Sequence, residues 1–207
     1  MLLSLFQFYF KGDLRMLRKL MQTIFLFLFT VALISAQEVK PEPADNIYNA
    51  ALKEAKASDK NVFLIFHASW CGWCKRLEKA IQSDELKKIF EDNYVITHLD
   101  VQERGEKIAL LENPGGIEIM NKLGGEKSGL PFYLFLDESG KKLADSNVMD
   151  KNSNIGYPSS SEEIEAFVKL LKASAKHMEE KQFAAVKEYL EKNAPKPASA
   201  PTPAPKK

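Results

Sequence analysis

The sequence contains little cysteine, and this scarcity limits what its cysteines can do. Only two, Cys71 and Cys74, occur in 207 residues, and two residues separate them. A framework of structural disulfides needs more pairs, and a structural zinc site usually takes four ligands. The chain has only 3 histidines, so a zinc site built from the two thiols and a histidine is disfavoured. The pair therefore indicates a reactive dithiol, and we expect neither a metal nor a cofactor.

The chain also lacks an excess of charge of either sign. Lys and Arg together number 29 and Asp and Glu 28, a formal net charge of +1 at pH 7. No basic excess marks a nucleic-acid-binding protein, and we expect no nucleic-acid partner. The content of hydrophobic residues, 45%, is that of an ordinary globular protein. The length suits one domain with some chain left for a targeting segment or tail.

An apolar run near the N-terminus is too short to span a bilayer comfortably. Arg18 and Lys19 precede it, it covers residues 24–34, and small residues follow. This order predicts that residues 1–36 are a secretory signal peptide. Met16 is a possible true start, because another apolar run lies before the basic pair. The alternative is an uncleaved N-terminal segment that anchors the protein in the membrane.

Export changes the interpretation of the two cysteines. Secreted domains use cysteine mainly for disulfides that stabilise the fold. A disulfide between Cys71 and Cys74 would close only a very short loop, which should contribute little stability. The pair is therefore better explained by chemistry than by stability.

The rest of the chain alternates between helical and extended patterns. Residues 37–44 are predicted to be a linker, 45–193 a single domain with a helical C-terminal extension, and 194–207 a disordered Pro/Ala-rich tail. We predict helices at 45–57 (capped by Asp45), 75–82, 85–91, 117–123, from 161 and at 179–191, strands at 62–66, 94–100, 131–136 and 142–146, and a loop at 151–160. The fold class is α/β: a central mixed β-sheet of about four to five strands flanked by helices, plus an extra C-terminal helix. The first two strands should be parallel and the last two antiparallel.

The two cysteines lie between a predicted strand and a predicted helix. Cys71 should lie at the helix N-terminus, where unpaired backbone N–H groups and the helix dipole favour an anion. We therefore expect its thiolate to be favoured at neutral pH and Cys71 to be the nucleophile. Cys74, one helical turn further on, should be more buried, have the higher pKa, and resolve the mixed disulfide that Cys71 forms.

The motif resembles a known family. Trp70-Cys71-Gly72-Trp73-Cys74-Lys75 is similar to the active site of the thioredoxin superfamily, usually Trp-Cys-Gly-Pro-Cys-Lys. Gly129-Leu130-Pro131 precedes a strand as the Gly-Ile-cis-Pro of that family does. The resemblance covers about residues 45–175 and implies a thioredoxin fold. The sequence FHASWCGWCKRLE most resembles exported bacterial thioredoxin-like proteins related to the C-terminal domain of the thiol:disulfide interchange reductase.

The resemblance assigns roles to several residues. It implies that the two cysteines are catalytic and that Leu130 and Pro131 form the edge where substrate docks. Large apolar side chains beside an exposed thiol favour a platform for extended protein segments over the alternative that Trp70 and Trp73 are ordinary packing residues. The complete predicted site is therefore Cys71 and Cys74 as catalytic residues, with Trp70, Gly72, Trp73, Leu130 and Pro131 as substrate-binding residues.

Several positions depart from the pattern of the family. Trp73 stands where the family has proline between the cysteines, which leaves the direction of electron flow open. Ile65 and Ile96 occupy the positions of the buried acid and lysine of thioredoxin, so another base or water must activate Cys74, with Glu78 as a candidate. An apparent insertion at 113–128 is either a specificity loop or a surface loop without a role.

The function expected from these features is that of an exported, periplasmic thiol–disulfide oxidoreductase. Its partners would be protein thiols or disulfides and an electron-donor reductase, in the membrane or soluble, and the protein is expected to be a monomer. Two alternatives are a non-catalytic, chaperone-like peptide-binding module and a dithiol that delivers metal or serves haem maturation. A metal-ligand or acid–base role for His67 is a further alternative to a structural histidine at a strand end.

Overall fold

The computed structural model describes residues 16–24 and 40–195. The chain divides into two units, Met1–Val39 and Lys40–Lys207. Within the first unit residues 16–24 are helical. The rest of the predicted signal peptide and nearly all of the predicted tail lie outside the described residues, so these assignments stay predictions. No helix among the described residues is both long and apolar enough to cross a membrane.

The second unit contains a four-stranded mixed sheet with helices on both faces. The strand order is β2-β1-β3-β4, with β1 parallel to β2 and antiparallel to β3, and β3 antiparallel to β4. The strands are β1 (Asn61–His67), β2 (Tyr94–Asp100), β3 (Phe132–Leu136) and β4 (Lys142–Asp145), and the helices are α1 (Ala44–Ser58), α2 (Gly72–Ile81), α3 (Lys87–Asn93), α4 (Lys107–Leu111), α5 (Gly116–Lys122), α6 (Ser161–Ser174) and α7 (Glu180–Lys192). The predicted fold class, strand directions and extra C-terminal helix are confirmed.

The central strand β1 is covered on both faces, as its unbroken apolar run predicts. Phe63 and Ile65 belong to a core cluster that includes buried residues of α6 and α7. The alternate side chains, Val62, Leu64 and Phe66, belong to a second cluster that includes buried residues of α1. These two layers fix the end of β1, from which the chain passes into the cysteine motif.

Besides the start of α2, which lies at Gly72 and not at Lys75, two helix starts differ from the sequence prediction. The N-cap of α1 is Pro43, without a side-chain hydrogen bond, so the prediction that Asp45 caps this helix is wrong and Asp45 lies in its first turn. The next misplaced start is that of α3, which begins at Lys87 because the residues before it form turns. Neither shift moves the strands that flank the dithiol.

The region around the apparent insertion contains regular secondary structure. The short helix α4 lies before the apparent insertion. Within the insertion, α5 places Met120, 1% exposed, in the core on the α1 side of the sheet. Residues 113–128 therefore contribute a helix to the packed fold and are not a surface loop throughout. The predicted loop at 151–160 also holds a strand, β6 (Ser153–Asn154), which pairs antiparallel with β5 (Asn147–Met149).

The C-terminal helices follow the predicted pattern. Ser160 caps α6 in a capping box with Glu163, in which each side chain bonds the backbone N–H of the other residue. The buried faces of α6 and α7 carry apolar residues: Ile164, Phe167, Val168, Leu171, Phe183, Val186 and Leu190. This layer covers the sheet face on which Phe63 and Ile65 lie.

Candidate active site

The two cysteines form a disulfide at the start of α2. Their sulfur atoms are 2.00 Å apart. Cys71 is the N-cap residue, and its Sγ accepts a hydrogen bond of 3.1 Å from the backbone N–H of Cys74. The predicted position of Cys71 at the helix N-terminus is therefore confirmed. The same N–H is placed to stabilise a thiolate on Cys71 once the disulfide is reduced.

Both cysteines are shielded in this disulfide form. Cys71 is 3% exposed and Cys74 5%, and Ala68 and Leu130 pack against them. The prediction that Cys74 is clearly the more buried of the two is wrong for this form. The contact with Leu130 does bring the predicted docking edge to the sulfurs.

The docking edge carries a cis peptide bond between Leu130 and Pro131. Leu130 is partly exposed, whereas Pro131 is buried. Asn154 of β6 fixes this edge, because its Nδ2 donates hydrogen bonds to the carbonyl oxygens of Gly129 (2.6 Å) and Pro131 (2.9 Å). Sequence reasoning missed Asn154, since it lies in a segment predicted to be an irregular loop.

The two tryptophans and Gly72 are exposed around the disulfide. Trp70 is 40% exposed and Trp73 48%, and an added side-chain carbon at Gly72 would meet nothing within 4 Å. Trp70 is held in place: its Nε1 donates to the carbonyl of Gln102 at 2.8 Å, and the Arg104 guanidinium lies 3.8 Å from its ring centroid. This exposed apolar rim is compatible with the predicted peptide platform, which stays a prediction.

Trp73 stacks on a different part of the fold. Its ring lies 6.2 Å from that of Tyr157, nearly parallel, and 5.5 Å from the Arg76 guanidinium. Trp73, Leu130, Asn154 and Tyr157 line a groove of about 460 Å³ beside the docking edge. The side chain that replaces the proline of the family thus forms one wall of a groove next to the disulfide.

A buried carboxylate holds the turn that precedes Cys71. Glu103 is 5% exposed and accepts hydrogen bonds from both the backbone N–H and the hydroxyl of Ser69, the latter at 2.8 Å. Lys107 Nζ donates to the same hydroxyl oxygen at 3.0 Å. Nothing in the sequence pattern identified Glu103, because its partner lies 34 residues away.

A larger, open cavity of about 940 Å³ lies next to Cys74. Its wall includes Cys74, Glu78, His67, His98 and Asp100. Glu78 Oε2 lies 2.7 Å from His98 Nε2, and His67 Nε2 lies 3.3 Å from Asp100 Oδ1. Ile65, at the position of the thioredoxin acid, lines the same cavity. The structure thus joins Glu78, a candidate from the sequence, with two histidines whose proximity the sequence could not show.

The cavity perturbs the ionisation of its groups. Burial lowers the pKa of His67 below 6.5, and this effect outweighs the attraction of Asp100. Burial also raises the pKa of the Asp100 carboxyl. The close approach of His98 Nε2 to the carboxylate lowers the pKa of Glu78. Glu78 is therefore a carboxylate at neutral pH, next to His98.

Within the described residues, no three His, Cys, Asp or Glu side chains form a group that could hold a metal ion. His177, the histidine outside the cavity, lies near Asp59, with Nε2 3.5 Å from Oδ2.

Comparisons with known proteins agree with this geometry. The thioredoxin-like family model matches residues 44–138. A protein disulfide-isomerase of Hordeum vulgare is 30% identical over 108 residues, 52% of this chain and 17% of that protein. The chain thus spans about a sixth of the length of the curated relatives it matches.

Two solved structures illustrate the likeness. The C-terminal domain of Neisseria meningitidis DsbD in the oxidised form is 17% identical, with a TM-score of 0.44 over 64% of this chain and 99% of that one. A disulphide isomerase from Xylella fastidiosa is 21% identical, with a TM-score of 0.41 over 49% of this chain and 72% of that one.

The β2-β1-β3-β4 sheet, the disulfide at the N-terminus of α2 and the cis-proline beside it lie together within or next to the matched segment. Residues 44–138 match the thioredoxin-like family model, and the domain that contains them has a thioredoxin-like fold.

Proposed function

We propose that the protein is an exported thiol–disulfide oxidoreductase that reduces or isomerises disulfides in other proteins. The observation that carries this proposal is the Cys71–Cys74 disulfide at the N-terminus of α2, in contact with Leu130. The protein disulfide-isomerases that resemble the domain support protein disulfides as the substrate class.

The chemistry follows from the position of the two thiols. In the reduced protein the Cys71 thiolate attacks one sulfur of a client disulfide, the client S–S bond breaks, and the other client sulfur leaves and takes up a proton. Cys74 then attacks Cys71 Sγ, and the second client thiolate leaves and is protonated. The client gains two electrons and two protons, and the protein ends as the Cys71–Cys74 disulfide.

Each turnover as a reductase consumes the dithiol. An electron donor, in the membrane or soluble, must therefore return the disulfide to the reduced state. The proposed location is the periplasm, after cleavage of residues 1–36; an uncleaved membrane-anchored form is the alternative. Subcellular fractionation and N-terminal sequencing of the expressed protein distinguish these forms, and an N-terminus at Gln37 supports cleavage.

Insulin reduction with dithiothreitol as donor tests the activity. We expect the wild-type protein to accelerate the precipitation of insulin chains and Cys71→Ser to abolish this acceleration. We also expect reduced Cys74→Ser to retain clients as mixed disulfides that dithiothreitol releases. Full activity in Cys71→Ser would refute the proposed enzyme.

The exposed Trp70 and Trp73 favour a second candidate, a chaperone-like module that binds extended segments without redox chemistry. Suppression of client aggregation by the Cys71→Ser/Cys74→Ser variant, together with no insulin reduction by wild type, would support it. If the wild-type protein does reduce insulin, loss of that reduction in Trp70→Ala and Trp73→Ala would instead show that the platform serves catalysis.

A further inference from the structure

The second cysteine has to lose a proton before it can attack. Only a thiolate is an effective nucleophile toward a disulfide. Cys74 is buried beside Ala68 and Leu130, and burial disfavours the charged form of a thiol. A neighbouring base that accepts the proton as the sulfur attacks would lower this barrier.

The cavity next to Cys74 contains such a base. Cys74 and Glu78 are four residues apart in α2, so their side chains lie on one face of the helix, and both line the cavity. Across it, β2 presents His98, whose Nε2 is 2.7 Å from Glu78 Oε2. In the β1–β2 register His98 lies opposite the apolar side chain of Ile65.

We propose that Glu78 and His98 together accept the proton of Cys74 during the resolving step. This inference rests on the oxidoreductase function proposed above and identifies the base for its second half. Glu78 receives the proton from the Cys74 thiol, and His98, which acts through Glu78, positions the carboxylate and shares the proton. As Cys74 Sγ bonds to Cys71 Sγ, the client sulfur leaves with the electrons of the broken bond and takes a proton from water or from the pair.

Other charged groups lie around the pair of Glu78 and His98. Lys75 and Lys79 lie on the same helix, and His67 and Asp100 belong to the wall formed by β1 and β2. Glu103 also acts on the charges of His67 and Asp100. The rings of His67 and His98 are 5.0 Å apart, so a charge on one disfavours a charge on the other.

A coloured aromatic disulfide separates the two steps. Reduced protein is mixed with 5,5′-dithiobis(2-nitrobenzoate) in a stopped-flow instrument. The first release of nitrothiobenzoate reports attack by Cys71 and depends on reagent concentration. The second, independent of that concentration, reports resolution by Cys74. Both phases are recorded from about pH 5 to about pH 8, where imidazoles change charge.

The variants are Glu78→Gln and His98→Gln, with Glu54→Gln and His177→Gln as matched controls. Glu54 lies on α1, His177 beside Asp59, and neither lines the cavity. We expect the second phase to slow at least about a hundredfold in both cavity variants, the lower end of general-base effects. The first phase and both controls should match wild type.

Two results would overturn the proposal. One is a second phase in both cavity variants that matches wild type at every pH. The other is a faster second phase in Glu78→Gln, because removing a negative charge near Cys74 without loss of a base would only ease formation of its thiolate. Insulin reduction by wild type is measured in parallel: its absence refutes the oxidoreductase function, whereas the two-phase assay still reports on the proton acceptor.

Discussion

At the scale of single residues, position in the fold decides which ionisable groups matter. Cys71 is favoured as the nucleophile by the backbone N–H that faces its sulfur. His67 and His98 are close enough to influence Cys74 because all three line the same cavity. His177 has the same side chain but lies near Asp59. The positions of β1 and β2 in the fold therefore bring His67 and His98, but not His177, to the cavity.

His67 predicts a pH dependence of stability. Because burial lowers its pKa below the 6.5 of an ordinary histidine, the unfolded state binds more protons than the native state between these two values. The contribution of this group is thus fully present above about pH 6.5 and is lost as the pH falls toward the native pKa. We expect the free energy of unfolding in urea to decrease over that range.

His67→Gln is the variant that tests this origin. The free energy of unfolding of His67→Gln should decrease less over the same pH range than that of wild type, and His177→Gln should behave as wild type. A decrease of equal size in His67→Gln would contradict the assignment to His67.

At the scale of elements, the sequence predicted the parts whose pattern is local. The apolar run of β1 and the periodicity of α6 and α7 gave correct strands and helices, because both follow from residues close in the chain. The cysteine motif located the site for the same reason. The contributions of Glu103, Asn154 and His98 could not be predicted, since their partners are 23 to 34 residues away or lie on another element.

The pair β5 and β6 escaped prediction because strands of 3 and 2 residues carry almost no alternation. The N-cap of α1 was misassigned because Asp45 has the residue type typical of a cap, whereas the helix already starts at Ala44. The similar burial of the two cysteines depends on Leu130, which reaches them only through the tertiary fold.

Glu103 connects the loop before α4 to the turn before Cys71. In Glu103→Ala the partly buried N–H of Ser69 loses its charged acceptor. We expect the free energy of unfolding to fall by about 1.5–3 kcal/mol, the usual cost of losing a hydrogen bond to a charged group. Urea denaturation followed by tryptophan fluorescence measures this, since Trp70 lies next to Ser69.

Glu106→Ala, a change at an exposed residue just before α4, is the matched control and should alter stability by less than about 0.5 kcal/mol. Equal, small effects of the two substitutions would show that the Glu103 contact does not hold the turn.

At the scale of the whole molecule, the disulfide contributes little to the fold. It joins residues with a sequence separation of 3, and closing so short a loop restricts the unfolded chain by only about 2 kcal/mol. The two core clusters on either side of the sheet do not depend on it. The molecule is therefore suited to pass repeatedly between disulfide and dithiol.

The reduced protein should consequently remain folded. We expect the far-ultraviolet circular dichroism spectrum to be unchanged by dithiothreitol, and the Cys71→Ser/Cys74→Ser variant to unfold in one cooperative transition. Loss of helical signal on reduction would mean that the disulfide is structural.

The most direct test of the account concerns which sulfur reacts. The reduced protein is alkylated with iodoacetamide across a pH series, and the modified cysteine is identified by peptide mass spectrometry. We predict that Cys71 is modified first and that its rate rises with a pKa below the ordinary thiol value of about 8.5. Faster modification of Cys74, or a Cys71 rate that rises only above that value, would contradict the claim that the N-terminus of α2 makes Cys71 the nucleophile.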